Sequence, residues 1–331
     1  MPAQLRQPSS SRRQIPNPRQ MRPFLPDTLR VLERGWLSSN NILCFDSAHK
    51  TGNVTLIDSG YVTHAAQTVA LLERSLDGSK LTRLLNTHAH SDHIGGNAAV
   101  TAAFGCAVLV PLGIAATIAE WDEEALLLSP LGQSAARFRH DATMANGDAI
   151  EMGGLNWNAI AVPGHDMDAL AFHNPEQRIL ISGDALWRDG FGVIFSELLG
   201  HPDDAGGLKA ARATLDKLAL LSVDVVIPGH GAPFVDIQEA FERAYQRLAT
   251  FEQSIERLAR HALKVILAFA MLERRQLARR DFPALLASLS FCQSVNARYL
   301  GYDDEALAEW LISDLIRVGA LKDEDGILIA V

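Results

Sequence analysis

Residues 87–96 read Thr-His-Ala-His-Ser-Asp-His-Ile-Gly-Gly and pack His88, His90, Asp92 and His93 into six positions. Neutral imidazole nitrogens and a carboxylate oxygen are the donors that a borderline cation such as Zn²⁺ accepts, at about 2.0–2.2 Å. An extended backbone would place His88, His90 and Asp92 on one side by the two-residue period, with His93 on the opposite side of the turn. Four donors exceed what one compact tetrahedral ion takes from a single short loop, so the stretch predicts two adjacent metals. The competing reading is a polar loop that happens to be rich in histidine. Four ligand types in six positions, bracketed by an apolar run and two glycines, favour the metal site.

The elements that must position this loop are readable on either side of it. The run 81–87 predicts a buried strand, and Gly95 and Gly96 let the backbone turn into a helix beginning near Asn97. The ligands would then lie at the carboxyl end of a strand, where α/β folds place their sites. Upstream, the segments 29–32, 41–45 and 54–57 predict an antiparallel start to a sheet, and 63–76 carries helical spacing. Downstream come a helix at 97–104, a strand at 107–110 and a helix at 112–120. Residues 121–140, with Pro130 and Gly132, read as a partly helical lid. Strands at 150–151 and 157–162, a hairpin of 169–173 with 178–182, a helix at 208–221 and a strand at 223–227 complete this part. Three of these strands end in a turn that delivers a ligand-type side chain: Pro163-Gly164-His165, Gly183-Asp184 and Pro228-Gly229-His230. A lone histidine after a strand is more often structural, but three such events beside the opening loop point to one shared site.

From about Asp236 the pattern becomes helical, over 239–270, then near 283–289 and 303–318, and it closes on a hairpin within 319–331. This predicts a small helical, winged-helix-like domain over 236–331, after a disordered tail over 1–26 and a catalytic domain over 27–235. The tail carries five arginines and no acid, and Met21 is an alternative start. Asp304, Glu305, Glu309 and Asp314 on the candidate recognition helix, and a net charge of −9 over the chain, argue against a nucleic-acid partner. A covering or subunit-contact role, including a homodimer, fits better. No apolar run approaches the ~20 residues that span a bilayer. Cys44, Cys106 and Cys292 lie far apart without metal-ligand spacing, which predicts reduced, buried thiols and a cytoplasmic protein.

His88-x-His90-x-Asp92-His93, followed in order by Gly164-His165, Gly183-Asp184 and Gly229-His230, resembles the metallo-β-lactamase superfamily over roughly residues 28–235. The resemblance implies a mixed α/β fold, a four-layer αββα sandwich with two divalent metal ions at one edge, zinc first and iron or manganese as alternatives. By position, His88, His90 and His165 would hold the first ion, Asp92, His93 and His230 the second, and Asp184 would bridge them. It implies a hydrolase in which metal-activated water, its pKa lowered from 15.7 towards about 7, attacks a small acyl substrate. Asp92 would shuttle a proton to the leaving group, and Asp58 would orient a ligand or the loop.

Departures from the family's branches narrow the expectation. Asp184 stands where lactamases of the superfamily place a cysteine, which argues against a β-lactamase. Flavodiiron relatives carry a glutamate at the position of His90 and a flavin domain, and RNA-processing members carry an insertion for which the interval from Asp184 to His230 is too short. Hydroxyacylglutathione hydrolases share all seven ligands, but their basic C-terminal clamp has no evident match. The turn Pro163-Gly164-His165-Asp166-Met167-Asp168-Ala169 and the run Gly183-Asp184-Ala185-Leu186 look more like the quinolone-signal-response thioesterases, which also carry helices over the site. A thioester is therefore the expected substrate, since a thiolate of pKa near 8.5 departs with little protonation. Lactone hydrolysis, a mononuclear-iron persulfide dioxygenase and a regulatory binding protein on the same fold are the rival readings. Trp121, Trp187, Phe191 and Phe195 are candidates for an apolar acyl pocket.

Overall fold

The computed structural model describes residues 25–47, 52–199 and 206–331. The expected tail over 1–26 lies almost wholly outside the described residues. The first sheet comprises β1 (Leu29–Leu32), β2 (Asn41–Phe45), β3 (Asn53–Ile57), β4 (Lys80–Leu85), β5 (Ala107–Pro111) and β6 (Ala142–Met144), adjacent in that order. Its first two pairings are antiparallel, as expected, and from β3 to β6 the strands run parallel. The switch follows from the connections, because β3 to β4 and β4 to β5 cross over through the helices Ala65–Leu76 and Asn97–Phe104. The second sheet holds β7 (Ala149–Met152), β8 (Leu155–Ala161), β9 (Leu170–Asn174), β10 (Ile179–Gly183) and β11 (Val225–Pro228), in the order β11-β10-β9-β8-β7. Here β10 and β11 are parallel, joined through the helix Gly207–Ala219.

Side-chain alternation divides these strands between layers. Ile42 and Cys44 of β2 face the second sheet and join Trp157, Phe172, Ile181 and Ile227 in one apolar cluster. Leu43 and Phe45 face the other way, onto Leu72, Leu76 and Val100 of the outer helices. Leu180 and Val226 turn outward from the second sheet and pack with Leu215 and Leu218, and also with Leu248, Leu263, Leu267 and Leu311 of the C-terminal helices. The result is the expected αββα sandwich with a helical C-terminal region, and the outer core of the second sheet is continuous with that region.

Two strands, β6 and β12 (Gln276–Ala278), are absent from the sequence-based expectation. Each has three residues, too short for a readable alternation. The single helix expected over 239–270 is two helices, Ile237–Gln253 and Ile255–Arg274. Ser254 breaks the run by taking an extended conformation, and its side chain accepts from the amide of Arg257 as an N-cap. The expected terminal hairpin forms as β13 (Leu321–Glu324) and β14 (Ile327–Ala330), and β12 adds to it in the order β12-β14-β13. No helix among the described residues is long and apolar enough to cross a membrane.

Candidate metal centre

All seven predicted ligands converge at the carboxyl ends of strands. His88 and His90 follow β4, His165 follows β8, Asp184 immediately follows β10, and His230 follows β11. One local expectation fails. The loop is extended only as far as His90, and Ser91–Ile94 forms a helical turn, so the two-residue period does not carry Asp92. The turn instead carries Asp92 round to His230, 3.0 Å away, while His93 stays against the His88 ring with 3.9 Å between centroids. Nor do Gly95 and Gly96 serve through unusual backbone angles, since both are right-handed helical. A Cβ at Gly95 would collide with the Val62 amide, and one at Gly96 with the Ser59 carbonyl, so close approach of the 59–62 backbone requires glycine.

The donors fall into three overlapping groups, His88 with His90 and His165, Asp92 with His93 and His230, and His88 with His93 and Asp184; within each, one atom per residue lies within 4.8 Å of the others. His90 Nδ1 and His165 Nε2 face each other at 2.7 Å. His230 Nε2 is 3.0 Å from Asp92 Oδ2. Asp184 reaches both sets, with Oδ1 at 3.4 Å from His93 Nε2 and Oδ2 at 3.5 Å from His165 Nε2 and 3.8 Å from His230 Nε2.

The outward faces of the rings fix which nitrogen is free. Thr87 Oγ1 donates to Asp58 Oδ2 at 2.8 Å, so towards His88 Nδ1, at 3.0 Å, it can only accept. His88 therefore carries its proton on Nδ1 and presents the Nε2 lone pair inward. His93 Nδ1 donates to Asp58 Oδ2 at 2.8 Å, and His165 Nδ1 donates to the Val193 carbonyl at 2.6 Å. Asp58, in a left-handed conformation at φ 57, also accepts from the Thr87 amide at 2.9 Å. It thus orients both the loop and a ring, as expected for this strand-end aspartate.

Burial, reinforced by His93 and His90, holds His88 well below the usual imidazole range. Burial likewise pulls His90 and His165 down to about 4, so all three are neutral near pH 7. For His93, burial opposes the charged form, but Asp184, Asp58 and Asp92 outweigh it and raise the pKa. Asp184 shows the converse: burial disfavours its carboxylate, and His93 and His230 more than compensate. The inward atoms His88 Nε2 and His93 Nε2 are buried without a hydrogen-bond partner. Buried polar atoms normally have partners, and an orphaned lone pair beside buried carboxylates fits a divalent cation. The donor set of imidazoles and carboxylates fits zinc, and also iron or manganese.

The centre opens on a cavity of about 1140 Å³. Trp187, Phe191 and Phe195 line it, as expected, while Trp121 does not and packs instead on Phe138, ring centroids 5.7 Å apart. The 121–140 segment contributes Leu131 and Gln133, and the helix Ile255–Arg274 contributes Val265, Ile266 and Phe269. Sequence reasoning missed Trp36, which stacks on His230 at 5.4 Å, and Arg247 and His261, which line the cavity. Neither Arg247 nor His261 stands out from an amphipathic helix by spacing alone.

Comparison with known proteins agrees with this architecture. Residues 35–230 match the metallo-beta-lactamase superfamily. Among curated relatives, a hydroxyacylglutathione hydrolase of Rhodopseudomonas palustris (strain HaA2) is 32% identical over 131 residues, covering 40% of this chain and 43% of that one. A protein of the same name from Cereibacter sphaeroides (strain ATCC 17029 / ATH 2.4.9) is 32% identical over 181 residues, covering 54% and 58%. The chain thus spans about half the length of the curated relatives it matches. A solved beta-lactamase domain protein from Burkholderia ambifaria aligns with TM-score 0.54 at 21% identity, covering 93% of each chain, and shares the fold. With 35–230 matched and the strand-end ligand set assembled, the chain belongs to the metallo-beta-lactamase superfamily.

Proposed function

We propose that this protein is a binuclear metal-dependent hydrolase of a small acyl substrate, most favourably a thioester. The observation that carries the reading is the convergence of seven ligand-type side chains on two orphaned, inward-facing imidazole nitrogens. In this reading His88, His90 and His165 would hold one ion and Asp92, His93 and His230 the other, with Asp184 within reach of both sets of donors. Residues 27–235 form the catalytic domain and 236–331 a domain that covers the pocket. When bound, two divalent ions supply Lewis acidity and lower the pKa of water to about 7.

The chain's own residues do the rest. Asp58, Thr87 and the Val193 carbonyl hold the rings of His93, His88 and His165, so these three donors need little reorganisation when they engage. Asp92 lines the cavity and keeps part of its carboxylate accessible, which suits it to carry a proton to the departing group. A thiolate, with a pKa near 8.5, demands little of that proton transfer. The apolar wall of Phe191, Val193, Ile266 and Phe269 holds an acyl chain and excludes water from it. Three free, buried cysteines accord with a reducing cytoplasm.

Metal analysis of the purified chain together with a thioester panel tests the reading. Two ions per chain and turnover that chelation abolishes are expected. Less than one ion per chain with no metal-dependent turnover would overturn it.

A further inference from the structure

The cavity wall facing the metal centre holds a cation without a counter-ion. Arg247, on the helix Ile237–Gln253, is half-buried and lines the cavity. Among the described residues its guanidinium makes no hydrogen bond and has no carboxylate within 4.0 Å. The acid that acts on it, Asp189, is largely exposed and pairs with Arg243 at 3.3 Å. Other arginines nearby are satisfied: Arg188, also on the cavity, pairs with Asp236 at 3.0 Å. Arg34, equally half-buried, donates to Asn41, Thr68 and Gln67. Beside Arg247 the His261 ring also lines the cavity, tilted against Phe251 with 5.3 Å between centroids, and neither nitrogen is hydrogen-bonded among the described residues. A guanidinium withdrawn from water is costly unless an anion answers it.

The strand of chain between this cation and the centre sets the distance. A Cβ at Gly190 would meet Arg247 Nη1 at 2.5 Å, and one at Gly192 would meet the His165 ring. Two residues of chain span at most about 7 Å, so the guanidinium and the His165 ring are no more than about 15 Å apart. The cavity that both border is lined in part by the apolar side chains of Phe191, Val193, Ile266 and Phe269. A peptide-like thiol laid along it would bury amides without partners, whereas a hydrocarbon spacer would not.

We propose that Arg247, with His261, forms an anion subsite for the far carboxylate of the substrate's acyl chain. The substrate class is then a thioester of a dicarboxylic acid, with its carbonyl at the metal centre and its free carboxylate on Arg247. This rests on the thioester reading above. It makes Arg247 a specificity-determining residue through a bidentate, charge-assisted contact.

The test uses the metal-loaded full chain and three probes: the N-acetylcysteamine thioesters of octanoate and of octanedioate (thioesterified at one end, a free carboxylate at the other), and the octanoyl thioester of 3-mercaptopropionate. The octanedioate thioester should exceed the octanoate thioester by about 10- to 100-fold in kcat/KM, the range for a hydrogen bond to a charged group. Arg247→Met should bring that ratio close to one, and Arg247→Lys should keep part of it. Equal rates in the parent chain, or an unchanged ratio in Arg247→Met, overturn the subsite. A preference for the mercaptopropionate thioester instead overturns its assignment to the acyl half. If none of the three is hydrolysed, the thioester reading fails by itself, and calorimetric titration of octanedioate against octanoate decides the subsite. Tighter octanedioate binding that Arg247→Met abolishes supports it, and equal binding overturns it.

Discussion

Around the cavity, His165, Asp184 and His230 sit within four residues of strand ends, whereas Val265, Ile266 and Phe269 sit on successive turns of one helix. The first wall is held by short, directed bonds, such as those from His93 and Thr87 to Asp58 at 2.8 Å. The second is held by apolar packing shared with the outer core of the second sheet. Directed bonds at strand ends fix atoms for chemistry, while helix packing fixes only the shape of the space that a substrate fills. Changes in the first wall should therefore abolish function with the fold kept, and changes in the second should alter preference or stability by smaller steps.

The largest effect is expected at His90. Its ring lies among His88, His165 and Phe195 rather than within the main apolar clusters. His90→Ala should lower metal-dependent turnover by more than about 100-fold, the upper range for residues that merely support ligands. Circular dichroism should be unchanged. Unfolding of the variant would break the comparison, because the ligand wall would then also be structural.

Asp58→Asn sharpens the same contrast one layer out. The amide keeps the size but cannot accept from His93, Thr87 Oγ1 and the Thr87 amide with a carboxylate's strength. A loss of about 10- to 100-fold in metal affinity or turnover is expected, read by competition with a chelator. An effect below twofold would remove Asp58 from the machinery.

The two walls also differ in how far they can be read from sequence. The loop at 88–93 and the turns at His165, Asp184 and His230 are local patterns, in which a few adjacent letters carry both the element's end and its donor. Strands β1, β2 and the helix Asn97–Phe104 are equally local, and their expected limits match. The helical turn at Ser91–Ile94 was not legible, because alternation and a single turn of helix place His88 and His90 alike and differ only at Asp92. Nothing local distinguishes Phe269, which borders the cavity, from Leu267, which is fully buried, since both lie on apolar stripes of one amphipathic helix. Trp121, expected in the pocket, packs on Phe138 instead, whereas Trp36 stacks on His230, and both placements are set by packing between residues distant in the chain.

The helical wall should reveal itself through acid stability. Burial, then Arg247 and Lys264, pulls His261 down to about 4. An unfolded chain takes up that proton near 6.5. Above 6.5 both states are neutral; as pH falls towards about 4 the unfolded state gains the proton and the folded state does not, so stability declines. Below about 4 both are charged and the decline stops. His261→Gln should be less acid-sensitive in that window by about 1–2 kcal/mol, allowing for the ring's contact with cavity water. Urea denaturation of both chains at matched metal content reads the difference, and parallel pH curves would refute it.

The smallest expected effect lies where the walls touch. Tyr61, fully buried, donates to Glu273 Oε1 at 3.0 Å on the helix Ile255–Arg274 and accepts from the Ser134 amide at 3.3 Å. Burial first, then Glu273, pushes its pKa up to about 12, so it remains a donor throughout the working range. Its ring meets Phe269 edge-on at 5.1 Å. Tyr61→Phe keeps the ring contact and deletes only the hydroxyl, leaving Glu273 and the Ser134 amide to find water. A loss of about 1 kcal/mol in stability is expected, with metal content unchanged, because among the described residues the Tyr61 hydroxyl bonds to Glu273 and Ser134 and to none of the candidate ligands. If the helical wall is tuned separately from the ligand wall, KM for a long-chain thioester should rise more than kcat falls. Equal changes in both would show that this hydroxyl couples the pocket's shape to the placement of the ligands.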